Sequence, residues 1–207
     1  NNMLPYYYNN YNSTQANAVA TLMYHVGVAA DMDYDPDGSG AASSVALANL
    51  GTYFDYDKGI QTLPKDYMKE EDILQEVASD LQLGRPVYVS GSTVNQEGHA
   101  FVCDGIKSDG YLHINWGWYG VANGYFALSA LAPEVQGTGG SASNLAFTEG
   151  VYVFSNIKPG TDGEATPLVT VDKLTRTSSD AINKTTAVGF SLEKFQSNGI
   201  ATAAGML

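Results

Sequence analysis

The hydrophobic pattern of this chain changes its period after Arg85-Pro86, and this change limits the folds open to it. Upstream, apolar residues recur at spacings of three and four between Val19 and Val26, which is typical of a helix. Downstream, short apolar runs rich in β-forming residues begin with Val87-Tyr88-Val89-Ser90. The two halves together predict an α+β fold in which helices come first and an antiparallel sheet follows.

Capping residues and turn signals set the expected boundaries of these elements. Helices are predicted at residues 14–26, 42–53 and 70–83, with Ser13 or Thr14 capping the first helix and Gly27 ending it. Strands are predicted at residues 87–90, 99–103, 111–116, 125–128 and 151–154. The Asp109-Gly110 pair suits a hairpin turn between the second and third of these strands.

Charge and cysteine content exclude several functional classes. The 207 residues carry a net charge of −12 with 10 Lys and Arg, so no basic face is available for nucleic-acid phosphates or for an anionic membrane surface. No apolar run approaches the roughly 18–20 residues of a membrane span. A single cysteine excludes an internal disulfide framework and a multi-cysteine zinc site, and no metal or cofactor is expected.

A domain boundary is predicted at Ile157-Lys158-Pro159-Gly160. Residues 1–159 form the first predicted unit. Residues 160–207 are richer in Thr, Ser and Ala, and we expect a linker followed by the start of a β-rich module. In that segment Val169–Val171 and Val188–Phe190 alternate weakly, as opening strands would.

Two phrases on neighbouring predicted strands could carry chemistry: Gly98-His99-Ala100-Phe101-Val102 and Asn115-Trp116-Gly117-Trp118. A cysteine thiol needs an imidazole to take its proton, and the imidazole needs a third group, such as an Asn oxygen, to fix its tautomer. A Trp beside the pair can shield that hydrogen bond from water. Either phrase alone is more often structural, but their joint presence favours thiol nucleophilic catalysis.

From Asn1 to Pro159 the chain resembles the C10, or streptopain-type, family of papain-like cysteine peptidases. The resemblance rests on the order and spacing of several phrases rather than on any single one. Besides the two phrases above, these are Asn1-Asn2-Met3-Leu4-Pro5, Val26-Gly27-Val28, Asp31-Met32-Asp33-Tyr34, Ser39-Gly40-Ala41, Pro86-Val87-Tyr88, Gly137-Thr138-Gly139-Gly140 and Ile157-Lys158-Pro159.

The resemblance implies part of a papain-like fold and a secreted or surface-bound bacterial cysteine endopeptidase that acts on proteins or peptides. It implies that His99 is the catalytic histidine, that Asn115 orients it and that Trp116 covers the pair. The substrate-binding residues that it implies are Ser39, Gly40, Ala41, Gly98, Trp118, Gly137, Gly139 and Gly140. Of these, Ser39 to Ala41 resemble a pocket wall, and the last three belong to a mobile loop beside the cleft.

The nucleophile that the family requires is a Cys at a helix N-terminus, and this chain has no Cys before Cys103. Two explanations are open. The Cys lies in a missing N-terminal portion of the same protein, or it has been replaced, since Ala18-Val19-Ala20-Thr21 resembles the family's Cys-Val-Ala-Thr. The first is favoured because Asn1 to Pro5 matches the phrase before a later helix of the family.

Cys103 itself does not fit the role of nucleophile. It lies four residues from His99 on one predicted strand, which separates their Cα atoms by roughly 13 Å. A thiolate–imidazole pair needs direct contact, so we expect Cys103 to be a buried structural thiol.

Three further interpretations are weighed against the peptidase. The chain could be a non-catalytic papain-like shell that acts as a binding or adhesion protein, or a surface protein whose tail from Gly160 has the main role. Asp33, Asp35 and Asp37 imitate the start of a calcium loop, but Ser44 occupies the place of the bidentate Glu. A solvated acidic turn is therefore predicted there, not a calcium site.

Overall fold

The structure is a computed structural model. It describes residues 3–4, 7, 10–36, 38–137 and 145–160, together with four short strands at 169–170, 173–176, 190–193 and 196–197.

Within the described part of the chain three α-helices form, close to where the sequence predicts them: α1 (Ser13–Ala29), α2 (Ser43–Tyr53) and α3 (Glu70–Gln82). A single turn of 3₁₀-helix, Lys65–Tyr67, precedes α3. Among the described residues no helix is both long and apolar enough to cross a membrane.

Both predicted ends of α1 are wrong, each for a local reason. Asn12, not Ser13 or Thr14, caps the helix: its side chain accepts from the Gln15 N–H at 3.0 Å, and the Gln15 side chain accepts from the Asn12 N–H at 2.9 Å. Gly27 does not end the helix, because the helix continues to Ala29. The Tyr34 hydroxyl lies where a Cβ of residue 27 would stand, so only glycine fits at this position. This glycine is a packing contact.

Six strands form one antiparallel sheet in the order β1-β6-β2-β3-β4-β5. They are β1 (Gln61–Pro64), β2 (Val87–Ser92), β3 (Gly98–Ile106), β4 (Leu112–Asn115), β5 (Gly124–Phe126) and β6 (Glu149–Ser155). The sequence predicts all except β1, which is short and contains Pro64. Because β1 is an edge strand, it tolerates a proline that cannot donate to a ladder. The predicted hairpin turn is confirmed by the bond from the Gly110 N–H to the Lys107 carbonyl at 3.0 Å.

The two faces of the sheet have different roles. Side chains of β2 alternate between buried and half-buried, as expected for a sheet packed on one face. Helix α3 covers the buried face with Ile73 and Val77, and the aromatic residues Trp116, Trp118 and Phe147 complete this core. On the opposite face the Tyr88 hydroxyl lies 3.0 Å from the Ser43 hydroxyl at the start of α2. The α1–α2 pair therefore faces the polar side of the sheet.

A buried carboxylate joins α3 to the end of β6. Asp80 is 3% exposed and accepts from Nε of Arg85 at 2.8 Å, from a second nitrogen of the same guanidinium, and from the Asn156 N–H at 2.5 Å. The Asn156 side chain in turn donates to the Gly59 carbonyl at 2.7 Å. Asp80 therefore ties α3 to the residue that follows β6, and Asn156 extends the connection to Gly59.

Beyond residue 160 the structure describes two short antiparallel ladders. Val169–Thr170 pairs with Gln196–Ser197, and Lys173–Arg176 pairs with Phe190–Glu193. The first predicted strand overlaps the strand Val169–Thr170, and Phe190 opens the strand Phe190–Glu193. Val188 and Gly189 lie outside the described residues.

The Asp80 contacts predict a specific loss of stability. Asp80→Asn keeps the shape of the side chain but removes the charge that Arg85 and the Asn156 N–H share, so unfolding should become easier by about 2 kcal/mol. Chemical denaturation measures this. The matched control is Glu71→Gln, an exposed carboxylate on the same helix, which should change stability by less than about 0.5 kcal/mol. Equal effects of the two substitutions would contradict the role given to Asp80.

Candidate active site

His99 stands near the start of β3, opposite Gly91 of β2, and its tautomer follows from one hydrogen bond. Nε2 of His99 lies 2.9 Å from the backbone carbonyl oxygen of Trp116. A carbonyl oxygen can only accept, so Nε2 carries the proton and donates it. In the neutral ring Nδ1 is then left with its lone pair, which is the form required of a general base.

Aromatic rings surround the imidazole. Its centroid lies 4.8 Å from that of Trp118, 5.2 Å from Phe147, 5.8 Å from Phe101 and 6.3 Å from Trp116. The Trp118 ring is within 18° of parallel, so it covers one face of the imidazole. Desolvation by these rings lowers the pKa of His99, and the hydrogen bond to the Trp116 carbonyl opposes that shift in part.

Trp116 itself is held by two hydrogen bonds, one from its backbone and one from its side chain. The Trp116 N–H donates to the Asn123 side chain at 3.1 Å, and the indole N–H donates to the Ala122 carbonyl at 3.1 Å. The contact made by Asn123 is one that the sequence analysis missed. The only local signal for it is the Asn123-Gly124 pair, which by itself predicts a turn and no more.

Asn115 lies on β4 opposite Val102, and its side-chain oxygen accepts from the Gly117 N–H at 3.0 Å. The sequence predicts that this oxygen orients His99. In the structure the Trp116 carbonyl has that contact, and Asn115 instead closes the turn that presents the carbonyl. Trp116 is fully buried beside Phe101 at 4.5 Å, and its ring is farther from His99 than the Trp118 ring is.

Trp118 differs most from its predicted role. It is implied as a substrate-binding residue, but its side chain is 2% exposed and lies against the imidazole. Gly137 packs directly behind it, since a Cβ there would stand 2.5 Å from Cβ of Trp118. Gly137 therefore supports the Trp118 turn in this structure. Gly139 and Gly140 lie outside the described residues.

The remaining predicted residues meet in one groove, which we call the His99 groove. It runs between the polar face of the sheet and the α1–α2 pair and has a volume of about 900 Å³. Ser39, Gly40, Ala41 and Gly98 line it, and His99, whose ring lies with Phe101 on the other face of β3, borders it at the start of that strand. These residues come from the segment before α2 and from the start of β3, so the fold brings together residues about 60 positions apart. Sequence analysis missed the aromatic floor of the groove, to which Tyr88, Tyr152 and Phe154 contribute.

Cys103 is buried as predicted. It is fully inaccessible in the core of the sheet, and its thiol lies 3.4 Å from the Gly105 carbonyl. Burial raises the pKa of the Cys103 thiol to about 11. A buried, protonated thiol in this position cannot act as the partner of His99.

The other histidine of the sheet has a separate partner. Nδ1 of His113 lies 2.5 Å from the Asp104 carboxylate, and its ring packs edge-on against Tyr125 at 5.0 Å. Among the described residues no group of three or more His, Cys, Asp and Glu side chains is placed to hold a metal ion.

Comparison with solved structures identifies the fold class of this chain. The active wild-type interpain A cysteine protease of Prevotella intermedia superposes with a TM-score of 0.60 at 33% identity, covering 74% of this chain and 61% of that one. A prointerpain A fragment from the same organism has a TM-score of 0.55 at 32% identity, covering 80% of this chain and 48% of that one. The predicted α+β, papain-like fold class is therefore confirmed.

The family follows from the sequence comparisons. The Peptidase C10 family model matches residues 1–126, and streptopain of Streptococcus pyogenes is 36% identical over 159 residues, 77% of this chain and 39% of its own. A thiol protease/hemagglutinin of Porphyromonas gingivalis is 33% identical over 150 residues, 70% of this chain and 17% of its own. The chain belongs to the Peptidase C10 family. It spans about two fifths of the length of the streptopains it matches.

The burial of Cys103 predicts that its thiol does not react with thiol reagents in the folded protein. At pH 8 a thiol with a pKa of about 11 is almost wholly protonated, and no solvent reaches it. Ellman's reagent should therefore release close to no thionitrobenzoate from the native 207-residue chain and one equivalent after denaturation in guanidinium. Fast labelling of the native chain would contradict this burial.

The rings around His99 predict its titration. The pKa of His99, measured by NMR of the imidazole, should lie below the usual value of about 6.5. The folded state then binds fewer protons than the unfolded chain, so this group makes stability fall as the pH drops below about 6.5.

A matched pair of variants isolates the cause. Trp118→Leu opens the imidazole to water and should raise the pKa of His99 toward its usual value. Tyr125→Leu removes a ring from His113 instead, so it should leave the His99 titration unchanged. If the pKa of His99 is the same in both variants as in the parent, desolvation by Trp118 is not the cause of the lowered pKa.

Proposed function

We propose that this chain is the histidine-bearing part of the catalytic domain of a cysteine endopeptidase. The observation that carries the proposal is the neutral imidazole of His99, with Nε2 fixed by the Trp116 carbonyl, at the border of an open groove. Interpain A is named a cysteine protease, and the Porphyromonas gingivalis relative a thiol protease. Proteins or peptides are the proposed substrates.

The nucleophilic thiol is proposed to come from outside these 207 residues. Cys103, the single cysteine, is buried and protonated. The streptopain and interpain A chains extend well beyond the region matched here, which leaves room in such proteins for a further portion. By the family resemblance that portion carries the Cys at a helix N-terminus, where the helix dipole favours the thiolate.

Exposed apolar surface supports this division of the site. Helix α1 buries only Gly27, and Met23 on the predicted apolar stripe is 65% exposed. The other large apolar side chains exposed on α1 are Leu22, Tyr24, Val26 and Val28. Surface of this kind usually marks an interface. Val26 and Met32 also line the His99 groove, so one partner could cover α1 and reach the imidazole.

The proposed reaction uses His99 in three proton transfers. Nδ1 takes the proton of the incoming Cys thiol, and the thiolate attacks the peptide carbonyl carbon. The imidazolium then gives its proton to the leaving amine as the carbon–nitrogen bond breaks, which leaves an acyl-enzyme. Water, deprotonated by the same nitrogen, hydrolyses that thioester. The donors for the oxyanion are proposed to lie mainly on the nucleophile-bearing portion.

The substrate is proposed to run along the His99 groove. Ser39, Gly40 and Ala41 form one wall and Gly98 lies beside the imidazole, so small side chains leave room for an extended peptide on the acyl side. A hydrophobic residue before the scissile bond is the preference that the family resemblance implies. Gly137, Gly139 and Gly140 stay proposed as part of a loop beside the cleft, and Asn115 stays proposed as a positioning residue.

The organisation of the protein is proposed in the same terms. Residues 1–159 are proposed to belong to the catalytic domain, and the Peptidase C10 family model matches residues 1–126 of them. Residues 160–207 are proposed to be a linker and the start of a β-rich module. Secretion or display at a bacterial surface suits the acidic composition and the resemblance.

Site-directed variants of the full-length protein test the proposal. His99→Ala should lower kcat for casein or an internally quenched peptide by about 10³-fold, because proton transfer to and from the thiol is lost. Cys103→Ser is the matched control and should retain activity. The 207-residue chain alone should hydrolyse nothing.

Two results would overturn the proposal. Thiol-dependent cleavage by the isolated chain that Cys103→Ser abolishes would show that the nucleophile was misplaced. Full activity of His99→Ala would remove the histidine from the mechanism, and a full-length protein with Ser, Ala or Gly at the nucleophile position would favour a non-catalytic shell.

A further inference from the structure

The turn that follows Trp118 carries a large side chain that the mechanism does not use. Tyr119 is 87% exposed, and Val121 beside it is 39% exposed. The turn is closed by a hydrogen bond from the Val121 N–H to the Trp118 carbonyl at 3.0 Å. Trp118 and Val121 pack against Gly137 on the inner side of the turn, so the Tyr119 side chain forms its outward-facing tip, one residue after the Trp118 that covers His99.

The backbone at Tyr119 is one that tyrosine rarely adopts. Its φ is +57°, and Gly117 and Gly120 on either side have φ values of +76° and +85°. In this left-handed region glycine is relaxed, whereas a side chain with a Cβ is strained. The exposed Tyr119 ring does not contribute to the core, so core packing does not explain a tyrosine at this strained position, and a role at the surface does.

The tip lies on the side of the imidazole where the leaving-amine half of the substrate is expected. In the proposed reaction His99 gives its proton to the leaving amine, so the residue after the scissile bond must pass beside the imidazole. Trp118 covers one face of that imidazole at 4.8 Å, and Tyr119 is the next residue. Ser39, Gly40 and Ala41 line the groove itself, which holds the acyl half.

The composition of the sequence around the Tyr119 turn favours an apolar ligand. From Tyr111 to Pro133 the sequence contains no Asp, Glu, Lys or Arg, although the whole chain carries a net charge of −12. Exposed aromatic rings contribute binding energy through contact area and ring–ring geometry. An apolar or aromatic side chain is therefore the matching partner.

We propose that Tyr119 is a specificity-determining residue that binds an apolar or aromatic side chain immediately after the scissile bond. The inference rests on the proposed function, since it assigns the leaving-group side of that same site. Tyr119 does not take part in proton transfer. Its contribution is to the binding of the amine half of the peptide.

The test compares two classes of substrate on the full-length protein. One is a peptidyl aminomethylcoumarin, which has no amino acid after the scissile bond. The other is an internally quenched peptide with the same acyl half and Phe, Leu, Gly or Asp after the bond. Tyr119→Gly should lower kcat/KM for the Phe and Leu peptides by about five- to tenfold, the size of one aromatic contact, and leave the coumarin substrate unchanged.

Two further variants separate binding from folding. Tyr119→Phe keeps the ring and should keep the preference. Asp55→Gly places glycine at another exposed residue of positive φ, +56°, away from the groove, and should leave both substrate classes unchanged. Both glycine variants should retain the Tm of the parent, because glycine suits these positions.

The outcomes separate this inference from the proposed function. If the parent cleaves both substrate classes but Tyr119→Gly changes neither, or lowers both equally, Tyr119 does not set leaving-group specificity. If the parent cleaves neither class, the proposed function itself fails, and the inference fails with it.

Discussion

The hydrogen bond between Nε2 of His99 and the Trp116 carbonyl determines the chemistry that this part of the molecule can perform. It decides which nitrogen carries a proton, and it does so with a backbone atom whose position depends on the fold rather than on a side-chain rotamer. Asn123 accepts from the Trp116 N–H, Ala122 accepts from the Trp116 indole, and the surrounding rings pack around the imidazole. The position of the imidazole is thus fixed by the fold itself.

Much of this could be predicted from the sequence, because periodicity and turn chemistry are local. The change of period at Arg85-Pro86, the Asp109-Gly110 turn and the histidine phrase all predicted features that the structure contains. Strand β1 was missed because a four-residue edge strand with a proline has almost no pattern. The caps of α1 were misassigned because Asn12, Ser13 and Thr14 are all good N-cap residues, and only the reciprocal bond with Gln15 distinguishes them.

The candidate site was less predictable, since it depends on orientation. Sequence placed His99, Asn115 and the two tryptophans in one hairpin, but which oxygen faces the imidazole depends on the turn after β4. A backbone carbonyl has no residue-type signal, so the sequence pointed to the amide side chain next to it. Trp118 was expected to bind substrate for a similar reason. The sequence pattern alone does not reveal that the imidazole and Gly137 cover its side chain.

The alternation along β3 makes the position of the imidazole an all-or-none property. His99, Phe101 and Cys103 share one face of the strand, and the core fixes the last two. A slip of one residue in pairing with β2 would carry all three side chains to the other face, away from the Trp116 carbonyl. Under the proposed function, full-length molecules with the wrong register would have no activity rather than a reduced one. A partly misfolded preparation of the full-length protein would then show a smaller fraction of titratable active sites, at an unaltered KM for those that remain.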